Sequence, residues 1–186
     1  SLDTILPSMG PAQGNSLLTI IGQDLQSTAP TKCFFGRQGV IATMLSSSAL
    51  LCRSPPMLGF DLVAVSVALN GIDASVQTRA FAYFAPVRLL SLQPAAVSSG
   101  MLFLIEISGE SFSEHSTYDC ILGKNSIGPA AWRSSSSVAC SSPALSPGNF
   151  TLQINIGDVK ASLNALVLEA MGPLVISAIE PSRAHA

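Results

Sequence analysis

The chain has 186 residues, room for one large domain or for two of roughly ninety residues, each able to bury a modest core. Only 11% of residues are charged, the net charge is −2, and nine Lys and Arg are spread along the chain, which excludes a basic nucleic-acid-binding surface. A membrane span needs about twenty consecutive apolar residues, and the longest apolar stretch, residues 62–69, is short and interrupted by Ser66, so no membrane insertion is expected.

Apolar segments of strand length follow one another along the chain. They are residues 4–6, 17–21, 32–35, 49–52, 61–69 and 80–84, then 89–92, 102–108, 118–122, 137–140, 149–156 and 165–170. Turn-forming residues separate them, and no convincing amphipathic helix is present. Six or seven short strands in each half predict an all-β fold of two-sheet antiparallel β-sandwiches. Phe150-Thr151-Leu152-Gln153-Ile154-Asn155-Ile156 alternates as a strand with one face inward. Its counterpart places Val63, Val65, Val67 and Leu69 inward, yet Leu62, Ala64, Ser66 and Ala68 make the other face largely apolar too. That face is expected either to be a tolerant surface of small side chains or to contact a neighbouring module.

The chain repeats itself. Pro7, Pro94 and Pro181 recur at intervals of 87 residues (94 − 7 and 181 − 94), and the same offset relates Gly22 to Gly109, Leu25 to Phe112, Cys33 to Cys120, Gly36 to Gly123, Val65 to Leu152, Val67 to Ile154, Phe81 to Leu168 and Pro86 to Pro173. Cys52 and Cys140 are 88 apart, so the second copy carries one inserted residue between its cysteines, expected in a loop. The spacing predicts domains at residues 1–86 and 87–173, with 174–186 as the first strand of a third repeat or of a neighbouring module. No Gly/Ser-rich or charged linker separates the copies, since Tyr83-Phe84-Ala85-Pro86-Val87-Arg88-Leu89 runs from one strand almost directly into the next, so the joint is expected to be stiff.

Four cysteines fall two per copy. Of the three connectivities, Cys33 with Cys52 and Cys120 with Cys140 is the one that treats both copies alike and keeps each self-contained. Each such bridge would close a loop of about twenty residues, stabilising a domain by roughly 3 kcal/mol, and would place the chain in an oxidising compartment. The alternative is four buried thiols in a cytosolic protein. A zinc site lacks support, because no Cys-x-x-Cys occurs and His115 and His185 do not accompany the cysteines.

The order Ile5-x-Pro7, Gly14, Leu18-x-Ile20-x-Gly22-x-x-Leu25, Cys33-x-Phe35-Gly36, Cys52-x-x-Pro55-Pro56, Val63-x-Val65-x-Val67, Asn70-Gly71 and Phe81-x-Tyr83 resembles an IPT/TIG domain. This is the immunoglobulin-like module of plexins and of some transcription factors, so the resemblance implies tandem immunoglobulin-like antiparallel β-sandwiches. The second copy resembles it through Pro94, Gly100, Ile105-x-Ile107-x-Gly109-x-x-Phe112, Cys120-x-Leu122-Gly123, Cys140-x-x-Pro143 and Phe150-x-Leu152-x-Ile154. It departs where Asn70-Gly71 becomes Gly157-Asp158 and Phe81-x-Tyr83 becomes Leu168-x-Ala170. The resemblance implies tandem arrays in extracellular receptors and surface proteins, DNA-contacting proteins of the Rel kind, or accessory domains of starch-acting enzymes. It implies no catalytic residues.

The residues themselves offer little chemistry. Gly109-Glu110-Ser111-Phe112-Ser113 begins like a nucleophile elbow but lacks the closing glycine and the strand-to-helix setting, so it reads as a turn. Glu110, Glu114 and Asp119 fit no calcium loop and read as solvated. No catalytic site, metal or cofactor is therefore expected. One sequon, Asn149-Phe150-Thr151, follows the turn Ser146-Pro147-Gly148 and makes Asn149 an N-glycosylation candidate. Ser46, Ser47 and Ser48 and their counterparts Ser134, Ser135, Ser136 and Ser137, read as loops before the second cysteine of each copy, are O-glycosylation candidates. A sparsely charged exterior needs a cover, and covalent glycans or neighbouring repeats in a linear array would supply it. The leading expectation is a glycosylated, non-catalytic repeat unit of an extracellular or cell-surface fibre or stalk. The alternatives are a receptor or adhesin ectodomain binding a protein or glycan ligand, and an accessory domain of a secreted carbohydrate-active enzyme.

Overall fold

A computed structural model of the chain describes residues 1–27, 29–59 and 61–173. The segment read as the opening of a third repeat, 174–186, lies outside the described residues. The first copy forms β1 (Leu2–Leu6), β2 (Met9–Pro11), β3 (Leu17–Gly22), β4 (Lys32–Phe35), β5 (Gln38–Ile41), β6 (Thr43–Ser46), β7 (Ala49–Arg53), β8 (Leu62–Ala68) and β9 (Arg79–Phe84). Two sheets result, one in the order β1-β3-β7-β6 and the other β2-β9-β8-β4-β5. All pairings are antiparallel except β2 with β9, which is parallel.

Alternation along each strand sends one apolar set between the sheets. In β3 the pattern buries Leu18 and Ile20, and in β7 it buries Leu50 and Cys52. Val65, Val67, Phe81, Tyr83, Cys33 and Phe35 close the core from the facing sheet. Phe81 stands at its centre, edge-on to Phe35 at 5.6 Å and to Tyr83 at 5.0 Å between ring centroids. Tyr83 is buried, and its hydroxyl donates to the Pro55 carbonyl at 2.9 Å, which satisfies the one polar atom this ring carries into the core.

The second copy forms β10 (Arg88–Gln93), β11 (Ala96–Ser98), β12 (Phe103–Glu110), β13 (Tyr118–Leu122), β14 (Asn125–Ser134), β15 (Ser137–Ser142), β16 (Gly148–Ile156), β17 (Val159–Lys160) and β18 (Leu166–Met171). The order is β10-β12-β15-β14 on one side and β14-β13-β16-β18-β11 on the other, with β17 paired to β16. The buried positions repeat those of the first copy. Leu89, Leu92, Ile105, Ile107, Phe112, Cys120, Leu122, Val138, Cys140, Leu152, Ile154, Leu168 and Ala170 take the places of Leu2, Ile5, Leu18, Ile20, Leu25, Cys33, Phe35, Leu50, Cys52, Val65, Val67, Phe81 and Tyr83. Where the first core holds three rings, the second has Leu122, Leu168 and Ala170. Its own aromatic pair lies at the sheet end, where Phe112 meets Tyr118 edge-on at 5.5 Å.

Several expectations are corrected. Among the described residues each copy has nine strands, not six or seven: β2, β5, β6, β11, β14 and β17 lack the alternation that marks core strands in the sequence. β6, for example, is exposed at all four positions. The inserted residue of the second copy does not lie in a loop. In the first copy Cys33 pairs with Val40 and Phe34 with Gly39, whereas in the second Cys120 pairs with Gly128 and Ile121 with Ser126, so Ile127 is an unpaired extra residue, a β-bulge inside β14. The first copy divides the equivalent span into β5 and β6 at Ala42, while β14 runs on as one strand that pairs with both sheets.

The outward face of β8 is mixed in burial. Leu62 and Ala64 are exposed, but Ser66 and Ala68 are buried. Phe34 stands opposite both Ser66 and Gly39, and a Cβ at Gly39 would lie 2.9 Å from the Phe34 ring. The Phe34 ring thus lies over Gly39 of β5 on that face.

Candidate functional site

The cysteines lie in the two cores. Cys33 and Cys52 are joined by a disulfide with Cα atoms 6.4 Å apart, and Cys120 and Cys140 by another at 6.2 Å. The first bridge links two sheets, since β4 and β7 belong to separate ones, and the second links β13 to β15, which flank β14 in one continuous sheet. All four sulfur-bearing residues are at most 1% exposed. Such bridges are inert framework and offer no thiolate for chemistry.

The serine runs are hairpin turns, not loops. Ser46 pairs with Ala49 and Ser134 with Ser137, which leaves Ser47-Ser48 and Ser135-Ser136 as two-residue connections. The hydroxyls cap the turns locally: Ser46 Oγ accepts from the Ser48 N–H at 3.2 Å, and Ser134 Oγ accepts from the Ser136 N–H at 3.2 Å. The turn carbonyls are used as well. Ser48 and Ser47 accept from the Gly22 and Leu25 N–H groups at 3.0 and 2.9 Å, and Ser136 and Ser135 accept from Gly109 and Phe112 at 2.9 and 3.1 Å. This explains the repeated Gly-x-x-Leu or Gly-x-x-Phe element. A Cβ at Gly22 would strike the Ser1 carbonyl, and the corner bends through positive φ at Asp24 (55°) and its counterpart Ser111 (69°). The stretch that begins like a nucleophile elbow is thus the corner that seats Phe112 in the core.

Two further polar pairs escaped sequence reasoning. Gln77 Oε1 accepts from the Leu2 N–H at 2.9 Å, and Asn164 Oδ1 accepts from the Leu89 N–H at 2.9 Å. Ser75 Oγ accepts from the Val67 N–H at 3.2 Å, and Ser162 Oγ does the same for Ile154 at 3.2 Å. Both pairs keep the 87-residue offset, the only signal that could have found them. They give side-chain partners to backbone N–H groups of β1, β8, β10 and β16.

Asn149 lies in β16, one residue past the Pro147-Gly148 turn, and is exposed together with Thr151. Glu110 and Glu114 are exposed and Asp119 half-buried; among the described residues no three His, Cys, Asp or Glu side chains converge to hold a metal. Among the described residues no helix is long and apolar enough to cross a membrane. In the first copy a pocket of about 400 Å³ opens at one end of the sandwich between Leu2, Leu25, Val67, Leu69 and Val76. Its polar rim is formed by Ser1, Gln23, Asp24, Ser75 and Gln77.

Comparison with known proteins gives one family and several relatives. A family model described as the IPT/TIG domain matches residues 1–83 and again 88–169. Human plexin-B3 is 31% identical over 107 residues, 57% of this chain, and that match spans only 6% of the plexin. Among solved structures, the full extracellular region of plexin A4 aligns with a TM-score of 0.48 at 18% identity, over 96% of this chain and 16% of that one. The Escherichia coli adhesin FdeC aligns with a TM-score of 0.41 at 10% identity, over 92% of this chain and 66% of that one.

Proposed function

The chain belongs to the IPT/TIG domain family, and from that premise we propose that it is a non-catalytic, two-domain segment of an extracellular or cell-surface protein of the receptor or adhesin kind, spacing and presenting its neighbours. The observation that carries this reading is the pair of buried disulfides, one per domain. Disulfides built into a core form and persist in the secretory lumen and outside the cell, and they suit small domains that cannot rely on core size alone. The partial match to human plexin-B3 agrees with an ectodomain setting.

Two family matches at residues 1–83 and 88–169, with three residues between β9 and β10, suit a repeat used in linear arrays. The sequence after Pro173, Leu174-Val175-Ile176-Ser177-Ala178-Ile179-Glu180-Pro181-Ser182, repeats the start of both copies and favours a longer array, a stalk or fibre, as the second reading. Protease shaving of intact cells tests the first. Release of peptides from this segment by an impermeant protease is the expected result; protection in intact cells with cleavage only after permeabilisation would overturn it.

A further inference from the structure

We propose that Asn149 carries an asparagine-linked oligosaccharide whose N-acetylglucosamine core lies over the outward face of β16 and β18. The inference rests on the extracellular reading above, since the transfer takes place in the secretory lumen. Asn149 and Thr151 are both exposed, and as positions i and i+2 of one strand they point to the same side. Among the described residues neither side chain is engaged in a hydrogen bond, unlike the hydroxyls of the serine hairpins.

The ground beside them fits a sugar. Asn149 pairs with Glu169 and Thr151 with Val167, so the outward neighbours on β18 are Val167, Glu169 and Met171, with one charge among three. Val167 is 58% exposed and Met171 48% exposed, an apolar strip flanking the acceptor. The pyranose rings of a glycan core present C–H faces that such a strip can pack against, while their hydroxyls face water. The first copy supplies an internal comparison. Its residues at the same places are Leu62 and Ala64, paired with Ala82 and Ala80, and it has no sequon there. The acceptor therefore marks one face of one domain and is no general feature of the repeat.

The chemistry balances with a polyprenyl-diphosphate-linked oligosaccharide as donor. The Asn149 amide nitrogen forms a bond to the anomeric carbon, the bond from that carbon to the diphosphate oxygen breaks, the polyprenyl diphosphate leaves with the electron pair, and the amide loses one proton to solvent.

The test is secretion of the intact chain from eukaryotic cells, followed by peptide mapping after amidase release of the sugar in heavy-oxygen water. Asn149 is expected to appear as heavy-oxygen aspartate, and Asn149→Gln and Thr151→Ala are both expected to lose the modification while still being secreted. Mild peroxide treatment reads the second half of the claim: Met171 should oxidise at least about twofold more slowly with the sugar in place than after its removal, with Met44 of the first copy unchanged. An unmodified Asn149 in secreted protein overturns the site, and equal Met171 rates overturn the covering of the face. Free thiols at the cysteines of the same protein would instead refute the extracellular reading, and because occupancy is read on that same material the two failures are told apart.

Discussion

Tyr83 shows how one polar atom in the core ties stability to pH. Burial raises its pKa above the ordinary value of 10.0, and the Ser54 hydroxyl partly offsets this. Below that value the phenol is neutral in both the folded and the unfolded chain, so nothing changes. Above it the unfolded chain ionises first, and stability falls as pH rises through the alkaline range. Tyr83→Phe is expected to remove that alkaline decline and to cost about 1 kcal/mol at neutral pH through the lost bond to Pro55, as read by urea unfolding at pH 7 and above pH 10. The disulfides act at the same scale. Replacing Cys33 and Cys52 together by Ala should lower the stability of the first domain by roughly 3 kcal/mol, since each bridge closes a loop of about twenty residues. The second domain, with its own bridge, should unfold as before.

The corner after β3, and after β12 in the second copy, shows how an element fixes a residue. Gly109 and Phe112 both donate to the Ser135-Ser136 turn, so the hairpin β14–β15 and the buried Phe112 ring hold each other. Phe112→Ala should cost about 3–5 kcal/mol through the cavity it leaves. It should also speed hydrogen exchange at the Gly109 and Phe112 amides, with Gly22 and Leu25 of the first copy unaffected. These elements also mark what could be read in advance. Core strands such as β3, β7, β12 and β16 announce themselves because alternation and burial coincide in them. Strands β5, β6 and β14 do not, because edge positions exposed on both faces carry no pattern, and β14 contains Gly128 and Pro129, which read as a turn. The bulge at Ile127 was visible as a one-residue excess, but its place depends on backbone pairing that no residue type signals. The serine runs look like loops because serine is common in loops; the pairing of Ser46 with Ala49 and of Ser134 with Ser137, three residues apart, is what makes them hairpins.

At the scale of the whole molecule the repeat decides the rest. Each copy gives its own backbone N–H groups side-chain partners, closes its own bridge and fills its own core, so the unit can be multiplied without redesign. What varies between copies is the surface. Where the first domain shows Leu62, Ala64, Ala80 and Ala82, the second shows Asn149, Thr151, Val167 and Glu169 on the same pair of strands. Function in such a repeat is therefore expected to lie in these outward positions, which is why the sequence is informative about the scaffold and sparse about its partners. The most direct test is non-reducing peptide mapping of the native protein, with free thiols blocked at lysis. Two peptides are expected, one holding Cys33 to Cys52 and one holding Cys120 to Cys140, with no blocked cysteine; bridges joining the first copy to the second, or four blocked thiols, would contradict the account.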